Sequence, residues 1–530
     1  GLGDVYKRQA SFTKAAAPTV KWIGHEDLTT PTELLESGNS ANIRVSAPGG
    51  IKSMQVDITS SVLTTPMEGS EQNLLEAVKL APSMELTNPA NNDMAAALAG
   101  FGFPTPAQLL NQQHVYFQIG GLIDMLAMVC AEVTETTNSD FKFTVTDNAG
   151  QKTVITLKYV KTVVSPITYN NDADLWANTA SFTLNIPADA TSVSVQYRIK
   201  GQTTWNDADI TANADGSRTA KISPTWTEGT NDAGLTIYTV DPKTGIFARK
   251  SYEYQLLADG ATVASGEFTP KNNLGDIIPN AGMESWSTKS MKKIIGSTNV
   301  PYPNAVKYED ATGTDKFWDS GNNAYLTSSG TDKLCTQATY SGKVGNYCAQ
   351  LAAKYAGIAF AAGNLYTGDF VMDGTVGYAQ FGQPYTYSAR PAALKLKYAA
   401  EIGEINRVKN DPPVSTGIDK GRIFVCIVEW SDRHAVQSGT SVDKTTFWDP
   451  ETVSSLNEGK IIGYGSAYIT ESHTGSMKDL ELPIVYYEKT DTPPTGNYTL
   501  VISTATSYLG DYLTGCDANK LWVDDFEWVY

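Results

Sequence analysis

Acidic side chains near the ends of strand-like segments are the residues of this 530-residue sequence best suited to chemistry. Glu429 closes an apolar run beside Trp430, and a buried position there favours the protonated form that a general acid needs. Asp369 and Asp373 are the candidate partners, because hydrolysis of a glycosidic bond needs two carboxylates and no cofactor. The alternative is structural, since a chain with 57 acidic residues contains such pairs by chance and a strand-end Glu also pairs with Lys or Arg.

Aromatic side chains in Gly- and Asn-rich segments offer a second kind of site. A flat ring stacks on the apolar face of a pyranose, while nearby polar groups fix its hydroxyls. A Trp precedes an Asp in two turn-rich segments, at Trp318 and at Trp448, as a sugar platform with a hydroxyl acceptor would. Core packing is the alternative for each Trp. The candidate ligand-binding residues are Trp318, Asp319, Trp430, Trp448, Tyr366 and Tyr378.

The last ten residues alternate between apolar and other side chains, which predicts a strand, yet they carry the adjacent acids Asp524 and Asp525. A strand that ends a chain is ordered by pairing in a sheet, and the strand that opened its domain is the expected neighbour. That pairing would bring Glu284 close to both acids. Calcium takes several oxygen ligands, so we predict a structural calcium held by Glu284, Asp524 and Asp525. The alternative is that the two aspartates face solvent or cap a turn.

Three segments of the second half resemble a known family. They are residues 280–286 (NAGMESW), 390–394 (RPAAL) and 507–515 (SYLGDYLTG), which leads into the terminal strand. Together they resemble the putative carbohydrate metabolism domain, PCMD, of secreted proteins from Gram-negative gut bacteria. The first segment and the chain end also resemble the bracketing motifs of jelly-roll carbohydrate-binding modules, in several of which an opening Glu and a closing Asp ligate calcium. The resemblance implies a jelly roll concerned with carbohydrate.

Other catalytic classes have no signature in the sequence. There is no Gly-x-Ser-x-Gly, His-Glu-x-x-His or P-loop motif, and four histidines leave little for a triad or a zinc site. The net charge of −17 and the lack of Lys/Arg clusters argue against a nucleic-acid partner and suit a neutral glycan or polysaccharide better. We therefore expect a glycan partner and a monomer.

The five cysteines are too scattered for a disulfide framework. Cys130 and Cys426 lie in apolar runs typical of buried thiols. Cys335 and Cys348 could form a bridge within one hairpin, and the sequence leaves this open.

The first nine residues resemble translated sequencing-adapter read-through, so we expect them to be an artefact and the natural N-terminus to be missing. No stretch reaches the length of apolar residues that spans a membrane. The expected location is extracellular or on the outer-membrane surface, with membrane attachment only through a lost N-terminal lipid anchor.

Composition and patterning predict an all-β multidomain protein. Charged residues make up 18%, aromatic residues 10%, and there are 44 glycines, as in a turn-rich extracellular β protein. Residues 10–162 resemble an immunoglobulin-like domain with short helical insertions, and residues 163–272 resemble a fibronectin type III-like sandwich. Residues 273–530 are expected to form the PCMD-like jelly roll. The predicted function is glycan binding through aromatic platforms. The alternatives are a glycoside hydrolase and a non-catalytic structural or adhesive surface protein.

Overall fold

The structure is a computed structural model that describes residues 14–23, 30–33, 41–67, 69–186, 192–292, 299–306, 317–323, 333–356, 359–439 and 441–530. Contacts divide the chain into an N-terminal unit, residues 1–165, and a C-terminal unit, residues 166–530. Antiparallel strands dominate both units, which confirms the all-β class. The finer boundaries and the immunoglobulin-like and fibronectin-like assignments stay predictions.

The N-terminal unit contains two sheets and four short helices in its described residues. The strand orders are β1-β3-β6 and β2-β8-β7-β4-β5. The strands are β1 (Thr19–Trp22), β2 (Thr32–Glu33), β3 (Asn42–Ser46), β4 (Ile51–Ser60), β5 (Ser83–Glu85), β6 (His114–Gln118), β7 (Thr137–Asp147) and β8 (Lys152–Lys161). The helices are α1 (Leu74–Ala77), α2 (Asn92–Gly100), α3 (Pro106–Leu109) and α4 (Gly120–Cys130).

Local patterns predict most of these elements. The sequence predicts a hairpin around the Asp147–Gly150 turn, which β7 and β8 form. It also predicts helices over residues 73–80, 94–99 and 122–129, where α1, α2 and α4 lie. Alternation over residues 42–46 and 51–58 across Pro48-Gly49-Gly50 predicts a hairpin of β3 and β4. This prediction is wrong, because β3 pairs with β1 and β6 whereas β4 pairs with β5 and β7. The Pro-Gly-Gly turn carries the chain from one sheet to the other.

The C-terminal unit begins with a small sandwich of two four-stranded sheets, β13-β14-β10-β9 and β12-β11-β17-β18. Side chains from both sheets, such as Phe182 and Tyr252, share one buried core. Its strands are β9 (Ile167–Tyr169), β10 (Ala180–Leu184), β11 (Val193–Ile199), β12 (Asn206–Asp207), β13 (Asp209–Ala212), β14 (Arg218–Ile222), β17 (Tyr252–Ala258) and β18 (Ala261–Phe268). The hairpin of β15 (Trp226–Thr230) and β16 (Thr236–Val240) lies between β14 and β17 in the chain but belongs to another sheet.

The remaining strands build a larger sandwich, which we call the C-terminal sandwich. They are β19 (Trp286–Lys292), β20 (Asn299–Val306), β21 (Trp318–Asp319), β22 (Cys335–Ala338), β23 (Cys348–Ala352), β24 (Lys354–Tyr355), β25 (Phe360–Ala361), β26 (Asn364–Asp373), β27 (Val376–Phe381), β28 (Ala393–Glu401), β29 (Gly421–Trp430), β30 (His434–Gly439), β31 (Ser455–Leu456), β32 (Gly459–Ile469), β33 (His473–Pro483), β34 (Val485–Tyr486), β35 (Tyr498–Ala505) and β36 (Lys520–Val529). Short 3-10 helices cover Gly321–Asn323, Lys444–Thr446 and Gly510–Tyr512.

Two sheets face each other in the C-terminal sandwich. One has the order β22-β23-β36-β28-β33, and the other is an eleven-stranded sheet with β29 and β35 near its centre. Alternate side chains of β29 point to opposite faces. Ile423, Val425 and Ile427 enter the core between the sheets, whereas Cys426 and Val428 belong to a separate apolar cluster on the other face.

The small sandwich and the C-terminal sandwich are joined inside the C-terminal unit. Strand β16 pairs with β34 at Tyr238 and Tyr486, so the β15–β16 hairpin extends the eleven-stranded sheet. Asn231, in the turn of that hairpin, donates hydrogen bonds to the carbonyl of Glu451 at 2.8 Å and to the hydroxyl of Tyr464 at 3.0 Å. A junction of this kind was not predicted from the sequence.

The terminal strand forms as predicted but has other neighbours. Strand β36 pairs with β23 and β28, whereas β19, the strand that opens this part of the chain, pairs with β20. A bulge opposite Lys395–Lys397 interrupts β36, and Asp525 there has φ of 54°, in the left-handed region that Asp tolerates better than most residues. The bulge turns the Phe526 N–H to the Ala281 carbonyl, 3.1 Å away. The opening and closing segments therefore meet without pairing as strands.

All five cysteines are free and buried. Cys335 lies opposite Leu351 and Cys348 lies opposite Ala338, so the β22–β23 register separates the two thiols. The bridge that the sequence left open is therefore not formed. Among the described helices, none has the length and apolar character needed to cross a membrane.

Candidate functional site

A cavity of about 200 Å³ opens on the face of the eleven-stranded sheet that points away from the five-stranded sheet. Strands β26, β27, β29, β32 and β35 supply its floor, and the loops that hold Trp448 and Asp511 supply its walls. Its aromatic lining consists of Phe360, Tyr366, Phe370, Phe381, Phe424, Trp448, Tyr468 and Tyr508. The charged groups in the lining are Arg422, Asp449 and Asp511.

Trp448 is a half-buried ring held on several sides by other aromatic rings. Its ring centroid lies 5.5 Å from those of both Phe424 and Trp430, and 5.8 Å from that of Phe381. All three contacts are edge-on, the arrangement that aromatic pairs favour. Trp430 therefore acts as a buried support for Trp448.

Arg422 is the buried cation of the cavity, with 7% of its surface exposed. Its Nη2 donates to Oδ1 of Asp449 at 2.9 Å and lies 3.6 Å from the carboxylate of Glu451, and its guanidinium stacks on Tyr468 at 4.0 Å. The other terminal nitrogen, Nη1, is buried and has no hydrogen-bond partner among the described residues. An unsatisfied buried donor is unfavourable, so an acceptor brought within reach of this nitrogen would stabilise it.

The family-like segment 507–515 forms one wall of the cavity. Asp419, completely buried, accepts from the Ser507 hydroxyl at 3.0 Å and from the Cys516 N–H at 2.8 Å, and so fixes both ends of the segment. Gly515 has φ of 154°, and a Cβ there would lie 2.6 Å from the ring of Phe360. Within this fixed loop Tyr508 and Asp511 face the cavity.

The structure separates the predicted ligand-binding residues into two groups. Trp448 and Tyr366 line the cavity, although Tyr366 is only 2% exposed and donates its hydroxyl to the Asp369 carbonyl at 3.1 Å. Trp318 and Trp430 are completely buried, so neither presents a ring to a sugar, and the core alternative holds for both. Trp318 packs against Phe526 in the core between the two sheets, and Trp430 lies beneath Trp448 in the apolar cluster on the other face.

Asp319 and Tyr378 also lie outside the cavity lining. The carboxylate of Asp319 is completely buried and accepts from the Ser320 and Phe370 N–H groups, at 2.8 and 2.9 Å. It therefore shapes the backbone next to the cavity and does not point at a hydroxyl. Tyr378 is half-buried on β27.

The predicted catalytic carboxylates do not meet in the cavity, since Glu429, Asp369 and Asp373 are all absent from its lining. Glu429 is half-buried near the end of β29, seven residues from Arg422, and accepts from the Thr495 hydroxyl at 3.0 Å. Asp373 is exposed at the turn between β26 and β27. A role in glycoside hydrolysis for these three residues stays a prediction that the cavity geometry does not support.

Glu284 and Asp524 hold the same loop, residues 343–347. Oε1 of Glu284 accepts from the N–H groups of Asn346 and Tyr347, at 2.7 and 3.0 Å, and Oδ2 of Asp524 accepts from the Val344 N–H at 2.8 Å. One oxygen of each carboxylate thus accepts from backbone amides of this loop. In the described ranges, no group of three or more His, Cys, Asp or Glu side chains is arranged to hold a metal. Calcium at Glu284, Asp524 and Asp525 stays a prediction, which a calorimetric calcium titration tests.

Stability should depend on pH through Asp524. Burial raises the pKa of this carboxyl to about 7, against about 3.9 in an unfolded chain. The folded protein therefore binds the proton more tightly, so its free energy of unfolding falls as pH rises from about 4 through about 7. Between pH 5.5 and pH 8 we expect a loss of about 2 kcal/mol from this group, measured by urea unfolding. Asp524→Asn should remove that slope, and an unchanged slope in the variant would contradict the assignment.

Several residues of the cavity were missed as site residues in the sequence, although some signal was present. Asp449 follows Trp448 in the Trp-Asp pair, and Tyr508 and Asp511 lie inside the family-like segment. Arg422 and Phe424 had no signal, because a strand pattern does not show which face of a sheet carries a cavity.

The fold and the cavity together define a β-sandwich with an aromatic-lined cavity on one sheet face. Residues 294–529 match the model of the PCMD family, described as "Putative carbohydrate metabolism domain". The match lies within the C-terminal sandwich and includes the segments 390–394 and 507–515 that resemble this family. No curated protein matches the chain.

Solved structures give partial matches. A crystal structure described as a putative glycoside hydrolase from Bacteroides vulgatus is 23% identical, with a TM-score of 0.34, and the match covers 47% of this chain and 96% of that chain. A second, from Bacteroides thetaiotaomicron and described in the same words, is 18% identical, with a TM-score of 0.33 and coverage of 65% and 98%. A structure of carbohydrate-binding modules of the β-sandwich superfamily is 9% identical, with a TM-score of 0.18 and coverage of 69% and 96%.

Proposed function

We propose that the cavity of the C-terminal sandwich binds a glycan. The observation that carries the proposal is the buried guanidinium of Arg422, whose Nη1 lacks a partner among the described residues and which lies in an aromatic-lined cavity. A sugar ring offers an apolar face for Trp448 and hydroxyl oxygens for this donor. The membership of residues 294–529 in a carbohydrate-related family supports the same ligand class.

The polar groups of the cavity are complementary to hydroxyls. Oδ1 of Asp449 is occupied by Arg422 and by the Glu451 N–H, at 2.9 Å each, whereas Oδ2 has no partner within the described ranges. A hydroxyl both donates and accepts, so one sugar hydroxyl can bridge the Arg422 donor and the Asp449 acceptor. Such paired contacts orient a sugar while the rings supply most of the buried surface.

Binding without bond cleavage fits the described residues better than hydrolysis, because the predicted catalytic carboxylates lie outside the cavity. A purely structural role would be favoured by a cleft filled with the protein's own side chains, but about 200 Å³ is open. The turn-rich, Gly-rich composition supports an extracellular or cell-surface location for this activity.

The test is a glycan array with the full chain, followed by calorimetry on any glycan that is retained. We expect retention, and we expect Trp448→Ala to weaken it by about thirtyfold, since loss of a central aromatic contact removes about 2 kcal/mol or more. Trp205→Ala is the matched control, because Trp205 lies in the small sandwich outside the cavity lining and should leave affinity unchanged.

Two outcomes of this test would count against the proposal. Failure of the native chain to retain any glycan, or equal losses in the two Trp variants, would overturn glycan binding at this cavity. Reducing ends released from a retained glycan would replace simple binding with hydrolysis, and Asp449 and Asp511 would then be the carboxylates to substitute.

A further inference from the structure

Asp511 is the one acidic residue of the cavity lining for which the described residues supply no hydrogen-bond or ion-pair partner to the side chain. It follows Gly510 in the short 3-10 helix that ends at Tyr512, and it is half-buried next to Leu513 in the cavity wall. Burial raises its pKa to about 6, so the group is mostly ionised at neutral pH. The Asp511 carboxylate takes no part in the ion pair between Arg422 and Asp449.

The charge of Arg422 does not compensate Asp511. Arg422 already pairs with Asp449 and lies 3.6 Å from Glu451, so its single positive charge has two carboxylates close to it. The other ionisable groups on elements next to Asp511 are His434 paired with Glu458, Lys444 over the Tyr512 ring, Lys420 over the Tyr508 ring, and Asp419 bonded to Ser507. A ligand carboxylate would meet Asp511 and Asp449, and the charge of Arg422 that it could reach is already shared with Asp449 and Glu451.

We propose that Asp511 is a specificity-determining residue that selects uncharged sugars and excludes sugars that carry a carboxylate. This inference rests on the proposed function and names the substrate class of the same site. An ionised Asp511 accepts hydrogen bonds from sugar hydroxyls, and charge-assisted bonds of this kind are stronger than neutral ones. The same charge repels a uronate, because like charges in a partly dry cavity are poorly screened.

The test uses an array of matched pairs of neutral hexosides and hexuronides of the same stereochemistry, probed with the full chain at pH of about 7.5 and about 5. At the higher pH we expect each retained hexoside to bind about tenfold tighter than its hexuronide. At the lower pH Asp511 takes up a proton, so hexoside affinity should fall severalfold while hexuronide affinity should rise. These opposite trends separate a role in recognition from a role in folding.

Asp511→Asn should remove both pH trends and bring the affinities for each hexoside and its hexuronide within about twofold of each other. Asp511→Glu should retain the preference for the hexoside. Asp232→Asn makes the same charge change at an exposed turn between β15 and β16 and should behave as the native chain does. Equal affinity for hexuronides and hexosides at the higher pH would overturn this inference and leave glycan binding intact. Native selectivity in the Asp511→Asn variant would do the same. No retention of any sugar would instead overturn the proposed function, and this inference with it.

Discussion

Replacing Arg390 with alanine is expected to destabilise the C-terminal unit by about 3 kcal/mol or more. Arg390 is 3% exposed, and its guanidinium lies 4.6 Å from the Trp176 ring, 4.9 Å from the Trp226 ring and 5.1 Å from the Tyr486 ring. It donates to the carbonyls of Trp176 and Thr490. The variant would leave a hole between three rings and the Trp176 carbonyl without this donor, whereas the Thr490 carbonyl keeps the Trp176 indole N–H, 3.2 Å away.

The buried cation is stabilised by rings and carbonyls, since no carboxylate in the described part of the chain lies within ion-pairing distance of it. Burial accordingly lowers the pKa of Arg390 from its ordinary value. Lysine should not rescue the variant, because an ammonium lacks the planar fork that stacks and reaches two acceptors. Trp176 and Trp226 belong to the part of the chain before residue 271, so Arg390 also joins the small sandwich to the C-terminal sandwich.

Calorimetric unfolding measures this effect, and Arg407→Ala is the control. Arg407 also stacks on a ring, that of Tyr355 at 4.2 Å, and pairs with Asp517 at 2.6 Å, but 42% of its side chain is exposed. An exposed pair of this kind contributes less than about 1 kcal/mol. Equal losses of unfolding free energy from the two substitutions would contradict this expectation, because they would show that the burial of Arg390 adds nothing to stability. Separation of one calorimetric transition into two in Arg390→Ala would show that the residue couples the two sandwiches.

The second large effect concerns Arg422 and ligand affinity. Arg422→Gln should weaken glycan binding by about thirtyfold, because a hydrogen bond to a charged group contributes about 2 kcal/mol. Glutamine keeps part of the stem and an amide donor, but it cannot pair with Asp449 and reach a ligand at the same time. The measurement is isothermal titration calorimetry with the glycan retained on the array.

Removing one partner of a buried ion pair also affects folding, so stability is measured alongside affinity. Arg422→Lys keeps the charge and should recover part of the stability but little of the affinity, since the fork geometry is lost. Arg407→Gln should bind as the native chain does, because Arg407 is outside the cavity lining. If a folded Arg422→Gln variant bound the glycan with native affinity, this guanidinium would not be a ligand contact.

The strands themselves could be predicted from local pattern. The apolar run over residues 422–430 and the strand-like run over residues 460–469 predict β29 and β32 within one residue of their observed ends, and the Asp147–Gly150 turn predicts the β7–β8 hairpin. Buried thiols at Cys130 and Cys426 also followed from the apolar runs around them. These features depend on neighbours along the chain, which the sequence contains.

Which strands pair, and which face of a sheet carries the site, depends on long-range packing. The β3–β4 hairpin was wrong because a turn sequence permits a reversal but does not choose the partner of either strand. Trp318 and Trp448 have the same local setting, a Trp before an Asp in a turn-rich segment, yet Trp318 is completely buried and Trp448 lines the cavity.

The amino-acid sequence by itself determined the all-β class, the family-like segments and the absence of basic clusters. Only the tertiary structure brought Arg422, Trp448 and Asp511 together, from a strand and two loops far apart in the chain. The physical reason is that alternation assigns side chains to two faces of a strand, whereas the burial of each face is decided by the sheet or loop that packs on it.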